Sequence, residues 1–86
     1  MVGGSQNTAN GILAAILSGK FNHAHGYAAV VGGGYANTAS GNGAFVGGGV
    51  RSGNAQTGNV ATGTASVVAG GMSNRATHYA AAIVGG

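Results

Sequence analysis

Apolar side chains recur along this chain every 15 residues and alternate within each repeat with small or polar ones. One column of equivalent positions is β-branched, and two columns are alanine with a single serine. These columns are Ile16, Val31, Val46, Val68, Ile83; Ala14, Ala29, Ala44, Ser66, Ala81; and Ala9, Ala24, Ala39, Ala61, Ala76. Alternation with a period of two predicts strands, and the 3.6-residue period of a helix is absent. Each repeat therefore predicts two short strands.

Asparagine and glycine separate these strands. Asparagine recurs at intervals of 15 residues, with one interval of 22, as Asn7, Asn22, Asn37, Asn59 and Asn74. Four residues after each asparagine comes a glycine, except in the last repeat, where His78 replaces it. Glycine permits a positive φ or a close backbone approach. Asparagine also tolerates the left-handed region, can bond its own backbone, and can stack into hydrogen-bonded ladders. A fixed period this short predicts a solenoid with one coil per repeat.

We therefore expect one all-β domain over residues 1–86, a parallel β-solenoid of 15-residue coils, about five to six in number. The seven additional residues of the long interval fall within 50–58, which predicts an inserted loop or half-coil. Arg51, Asn54 and Gln56 in this insertion are candidates for bonding sugar hydroxyls or carboxylates. The alternative, which the pattern favours, is that the insertion is a half-coil spacer or a β-bulge. Since the repeat stops midway at Gly86, we expect either a segment of a longer fibre or ends that meet other copies of the chain.

The second strand of each repeat is apolar on both of its faces. Its outward residues are Ala15, Val30, Phe45, Val67 and Ala82. A strand with one face in water alternates apolar and polar residues, so an apolar outward column predicts a covered outer face. The outward residues of the first strand are mostly polar, as in Thr38 and Ser40. We therefore expect copies of the chain to pack side by side through the outer face of the second strand.

The repeats resemble a known class of fibrous protein. Residues 31–41 read VGGGYANTASG and residues 68–74 read VAGGMSN, which is similar to the β-roll repeats of trimeric autotransporter adhesin heads. They resemble even more the Gly-Gly-x-x-Asn-x-Ala-x-Gly repeats of tail-fibre-like proteins of phages and bacteria. The resemblance covers nearly the whole chain.

This resemblance implies a left-handed parallel β-roll, three chains around one axis, and a surface fibre that contacts a host. The expected location is extracellular, on a cell surface or a virion tail, and the expected partner is a cell-surface glycan or receptor. The sequence has no counterpart of the adhesins' membrane anchor, coiled-coil stalk or signal peptide, nor of the self-cleaving chaperone domain of tail fibres. Host attachment therefore rests on analogy alone.

Composition disfavours most catalytic chemistry. The chain contains no Asp, Glu or Cys, so it lacks a carboxylate general base, a hard-cation cage and a thiolate metal site. Its cations Lys20, Arg51 and Arg75 are scattered, whereas phosphate binding needs several together. No stretch approaches the roughly 18 unbroken apolar residues of a membrane helix. We expect no enzyme activity, no cofactor, no nucleic-acid partner and no membrane span.

Two groups of side chains are candidates for binding. His23 and His25 flank the inward Ala24, so both imidazoles should lie on one face, and three such pairs on a trimer axis would offer nitrogen ligands to one transition metal. The alternative is two solvent-exposed histidines on the wet side. Tyr35 and Phe21 are expected to occupy the same place in the repeat, just before the asparagine, and to stack at one edge of the coil, where an aromatic ledge would suit glycan stacking. A corner that needs a large cap explains them equally well.

Three other functions fit part of the pattern. A self-polymerising filament would use coils joined end to end. An ice-binding solenoid would need regular Thr-x-Thr rows, whereas the outward pairs here include His23 with His25 and a cation at Arg75. Enzymes of the left-handed β-helix type, such as trimeric carbonic anhydrases or acyltransferases, use hexapeptide steps and acidic or metal-bound sites. Neither feature occurs in this chain.

Overall fold

The computed structural model describes residue 4 and residues 6–49, 58–71 and 74–84. Within these ranges the chain forms ten strands of two residues each. In chain order they are β1 Thr8–Ala9, β2 Ala15–Ile16, β3 His23–Ala24, β4 Val30–Val31, β5 Thr38–Ala39, β6 Phe45–Val46, β7 Val60–Ala61, β8 Val67–Val68, β9 Arg75–Ala76 and β10 Ala82–Ile83. Two short strands per repeat are as the alternation predicts.

The strands form two five-stranded parallel sheets. The first sheet has the order β1-β3-β5-β7-β9 and the second the order β2-β4-β6-β8-β10, so consecutive strands of the chain belong to opposite sheets. Ala24 pairs with Ala39, and Val31 pairs with Val46, one repeat further on. The chain is therefore an all-β parallel solenoid of about four turns, which confirms the predicted class. No helix within the described ranges is long and apolar enough to cross a membrane.

The core lies between the two sheets and is narrow. The inward residues of the second sheet from β2 to β8 are fully buried, from Ile16 to Val68, and alanine fills the facing positions, as at Ala24 and Ala39. Because one side of the core is built from alanine, the sheets approach closely and leave room for a single row of larger side chains. Within the described residues, the interior is one cluster of packed apolar side chains.

A column of buried asparagines, the asparagine ladder, joins the coils at one corner. The Asn37 Oδ1 accepts a hydrogen bond from the Asn59 N–H of the next coil at 2.8 Å. Its Nδ2 donates to the Gly33 carbonyl of its own coil at 2.9 Å and to the Gly49 carbonyl of the next at 3.0 Å. The predicted ladder is confirmed, but most of its bonds run from side chain to backbone. Each asparagine therefore fixes its own corner and the coil that follows.

The left-handed backbone conformation lies beside the asparagines and not at them. Phe21 and Ala36, each directly before a ladder asparagine, have φ of 59°. A second set in the turn between the two strands includes Ala28 and Ala80, both with φ of 56°. The expectation that asparagine itself supplies the positive φ is therefore wrong for the described residues. The asparagine side chain makes its hydrogen bonds within the ladder. Because these bonds join two coils, they hold the preceding residue in the left-handed region, which is unfavourable for a residue other than glycine.

Candidate functional site

The outer side of the second sheet is apolar over the whole described length, and we name it the apolar face. Its first column contains the five residues predicted to lie outward: Ala15, Val30, Phe45, Val67 and Ala82. Its second column, two residues further along each coil, contains Leu17, Gly32, Gly47, Ala69 and Val84. Phe45 is 40% exposed, Leu17 50% and Val84 86%. Neither column contains a polar side chain.

The two columns of the apolar face are complementary in size. Every coil contributes one residue to each column, and in each coil one residue is bulkier than the other. The pairs are Ala15 with Leu17, Val30 with Gly32, Phe45 with Gly47, Val67 with Ala69, and Ala82 with Val84. The first column is therefore bulkiest in its middle, where the second is hollow, and the second is bulkiest at its ends.

The outer side of the first sheet, which we name the polar face, has mixed chemistry. Its two columns are Thr8, His23, Thr38, Val60, Arg75 and Asn10, His25, Ser40, Thr62, Thr77. The one departure from the predicted wet face is Val60, which is only 7% exposed. Arg75 is exposed and, with Val60, interrupts any regular row of hydroxyl groups. Ice binding stays a prediction that this irregular surface does not favour.

The two histidines lie together on the polar face, as predicted. Their rings stack with centroids 5.2 Å apart and an angle of 20° between planes. The His25 Nδ1 is 2.5 Å from the Asn10 Oδ1, one coil earlier. The His23 Nδ1 is buried and has no hydrogen-bond partner among the described residues.

The stacked arrangement of His23 and His25 limits what one chain can bind. Nearly parallel rings place their in-plane nitrogen lone pairs in nearly parallel planes, an arrangement that does not favour convergence on one ion. Among the described residues no three side chains of His, Cys, Asp or Glu lie close enough to hold a metal. The metal site predicted for three chains together stays a prediction.

Tyr35 lies at a corner with a second aromatic ring and a cation. Its ring meets that of Phe21 edge to face, with centroids 5.7 Å apart. Tyr35 pairs with Lys20 across the coils, and the Lys20 Nζ is 5.2 Å from the Phe21 ring centroid. Phe21 and Tyr35 therefore contact each other, but they do not occupy equivalent positions as the sequence suggested. Phe21 is equivalent to Ala36 instead.

The insertion begins and ends beside Tyr35. The Tyr35 N–H donates to the Gly49 carbonyl at 2.9 Å, and the Gly58 N–H donates to the neighbouring Ala36 carbonyl at 2.7 Å. The register resumes at once, because Thr38 pairs with Val60. The candidate ligand residues Arg51, Asn54 and Gln56 lie outside the described residues. The structure thus places Tyr35 at the root of the insertion but does not test the ligand prediction.

Sequence reasoning missed the second column of the apolar face. The signal was present, because Leu17 and Val84 stand two residues after first-column positions and share the period. The glycines between them concealed the column. No protein-family model, curated protein or solved structure matches this chain. Functional reasoning therefore depends on the geometry of the two faces and the Tyr35 corner.

Proposed function

We propose that this chain is a non-catalytic structural and adhesive segment of an extracellular or virion fibre, in which three copies pack side by side. The observation that carries the proposal is the two-sidedness of the solenoid. The apolar face has no polar side chain in either column, and the polar face contains hydroxyl, amide, imidazole and guanidinium groups. A contiguous exposed apolar surface is typical of a protein interface.

The absence of charged side chains on the apolar face is compatible with a second copy of the same chain as its occupant. The chain has a formal net charge of +3 and no acidic residue, so two copies have no ion pair to form between their side chains. Lys20 and Arg75 both lie away from the apolar face. Copies that meet through this face bury apolar surface, and each Å² removed from water stabilises the assembly by about 25 cal/mol. Their cations stay apart and in water.

The size pattern of the apolar face favours parallel copies at equal height. When the solenoids are parallel, the first column of one copy faces the second column of its neighbour. Phe45 then enters the hollow over Gly47, and Leu17 covers Ala15. An antiparallel pair would place Phe45 against Phe45 and Ala15 against Ala82, so that large residues of the first column meet large ones and small residues meet small ones. Three parallel chains around one axis satisfy this pairing at every interface. Left-handed winding, which the resemblance implies, and five to six coils, which the period of the sequence predicts, belong to the same proposal.

The Tyr35 corner is the proposed adhesive element. It combines the aromatic edge of Phe21 and Tyr35 with the Lys20 cation, and it lies where the insertion leaves the solenoid. Aromatic rings present apolar faces that suit the C–H surfaces of sugars, and insertions in solenoids often carry the binding surface. A cell-surface glycan or receptor is therefore the proposed ligand.

Substituting Phe45 tests the interface. We expect Phe45→Ser to shift the chain from a trimer towards a monomer in sedimentation velocity, because it removes the largest side chain of the first column. The matched control is Tyr79→Ser, since Tyr79 is 79% exposed in the turn before β10 and off the apolar face. Tyr79→Ser should sediment like the parent chain. A Phe45→Ser variant that keeps the parent's mass at every concentration would refute the proposed interface.

A further inference from the structure

A column of glycines lies directly beneath the backbone of the following coil. The column consists of Gly11, Gly26, Gly41 and Gly63. A Cβ at any of these positions would collide with the carbonyl oxygen of the equivalent residue one coil further on. None of the four has a positive φ, so their backbone conformation is open to any residue. Glycine is needed at these positions because the following coil leaves no room for a Cβ, and not because of the backbone conformation.

His78 occupies the next position of this column and carries a side chain. Its backbone makes the same turn as the glycines. The Ala81 N–H donates to the His78 carbonyl at 3.0 Å, as the Ala44 N–H does to the Gly41 carbonyl at 3.0 Å. The Cβ of His78 therefore points to where the carbonyl of a further coil would lie. No described coil lies on this side of His78, and its side chain is exposed.

We infer that His78 closes the edge formed by β9 and β10 to any further coil in this register, including the first coil of a second copy. Two-residue strands at the end of a parallel stack present unpaired N–H and C=O groups, which act as a template for added strands. At this edge, the addition of β1 and β2 of another copy would bring its Gly11 carbonyl onto the His78 Cβ. Head-to-tail growth is blocked, and the apolar face remains as the surface through which copies associate.

This inference goes beyond the proposed function and rests on stacking geometry alone, so either can fail without the other. Its test compares two variants that differ by one methyl group. His78→Gly removes the Cβ and should allow copies to stack end to end. His78→Ala removes the imidazole but retains the Cβ, and should remain blocked like the parent. Particle length by electron microscopy separates end-to-end growth from side-by-side association, and light scattering measures the mass against concentration.

We expect His78→Gly to form particles several times longer than the parent, with a mass that rises with concentration, and His78→Ala to match the parent. The inference is overturned if His78→Gly keeps the parent's length. It is also overturned if His78→Ala grows equally, because the Cβ is then not the obstacle.

A second measurement tests the same collision between a Cβ and the following coil at Gly63, where that coil is present in the structure. Gly63→Ala should speed amide hydrogen exchange at Thr62 and Val67, whose N–H groups donate to Ala76 and Ala81 in the next coil. Unchanged exchange at both amides would mean that the stack tolerates a Cβ there. The steric argument for His78 would then fail.

Discussion

Asn37→Ala is expected to lower the free energy of unfolding by roughly 4 kcal/mol, since each buried group left unpaired costs about 1 to 3 kcal/mol. The substitution leaves the Asn59 N–H and the Gly33 carbonyl without the hydrogen bonds that Asn37 makes to them. It also removes one bond from the Gly49 carbonyl, which still accepts from the Tyr35 N–H. Asn37 is fully buried, so water does not replace these bonds without opening the corner. Urea unfolding followed by circular dichroism measures the loss.

Asn42→Ala is the matched control for this substitution. Asn42 is exposed, and its Oδ1 accepts a single bond from the Tyr27 N–H at 3.2 Å. Its loss should cost less than about 1 kcal/mol, because water can replace an exposed partner. Equal losses for the two asparagines would mean that the ladder does not hold the coils together.

Gly41→Ala should lower the free energy of unfolding by about 3 kcal/mol, at the upper end of what overpacking usually costs. The added Cβ would collide with the Gly63 carbonyl and would lie 2.7 Å from the Thr62 carbonyl oxygen. Both obstacles are backbone, so the two coils must separate, which stretches the bond from the Gly41 N–H to the Ala61 carbonyl. The same urea titration measures the effect.

Gly70→Ala provides the comparison for the Gly41 substitution. A Cβ at Gly70 would meet nothing within 4 Å, so we expect a change within about 0.5 kcal/mol. If both glycine variants lose stability equally, the loss comes from the alanine itself and not from the packing of the coils.

The period of the sequence was sufficient to predict the solenoid. The inward alternation of Ala39 and Val46 defines two strands per coil, and a side-chain period of two leaves one choice of buried face. The inner and outer sides follow this choice at every described strand. The asparagine ladder was also predictable, because an uncharged amide can both donate and accept along a stack.

Other features depend on contacts that no single repeat reveals. Gly41 and Gly34 look alike in sequence, and a Cβ at either position would collide with the backbone of the following coil. Only Gly34 also has a positive φ, of 94°. The edge-to-face contact of Phe21 with Tyr35 joins positions that are not equivalent in the repeat. Val60 is buried, whereas Thr8 and Arg75 in the same column are exposed, so its burial could not be predicted from the column.

The differences between the two faces and between the two edges of the stack determine how copies of the solenoid are expected to associate. The apolar face offers a self-complementary surface along the side of the stack, and His78 obstructs one end of it. Together these features favour lateral association of parallel chains over end-to-end growth. A fibre segment built in this way has a fixed thickness and leaves the polar face and the Tyr35 corner in water, where a ligand can reach them.

Absolute mass in solution, measured by light scattering on a sizing column, tests this account most directly. The account predicts one species at three times the chain mass of 8.0 kDa, unchanged over a wide range of concentration. A monomer of 8.0 kDa at every concentration would contradict it, because the apolar face would then remain exposed to water. A mass that keeps growing with concentration would contradict it as well, because His78 would not then block end-to-end growth.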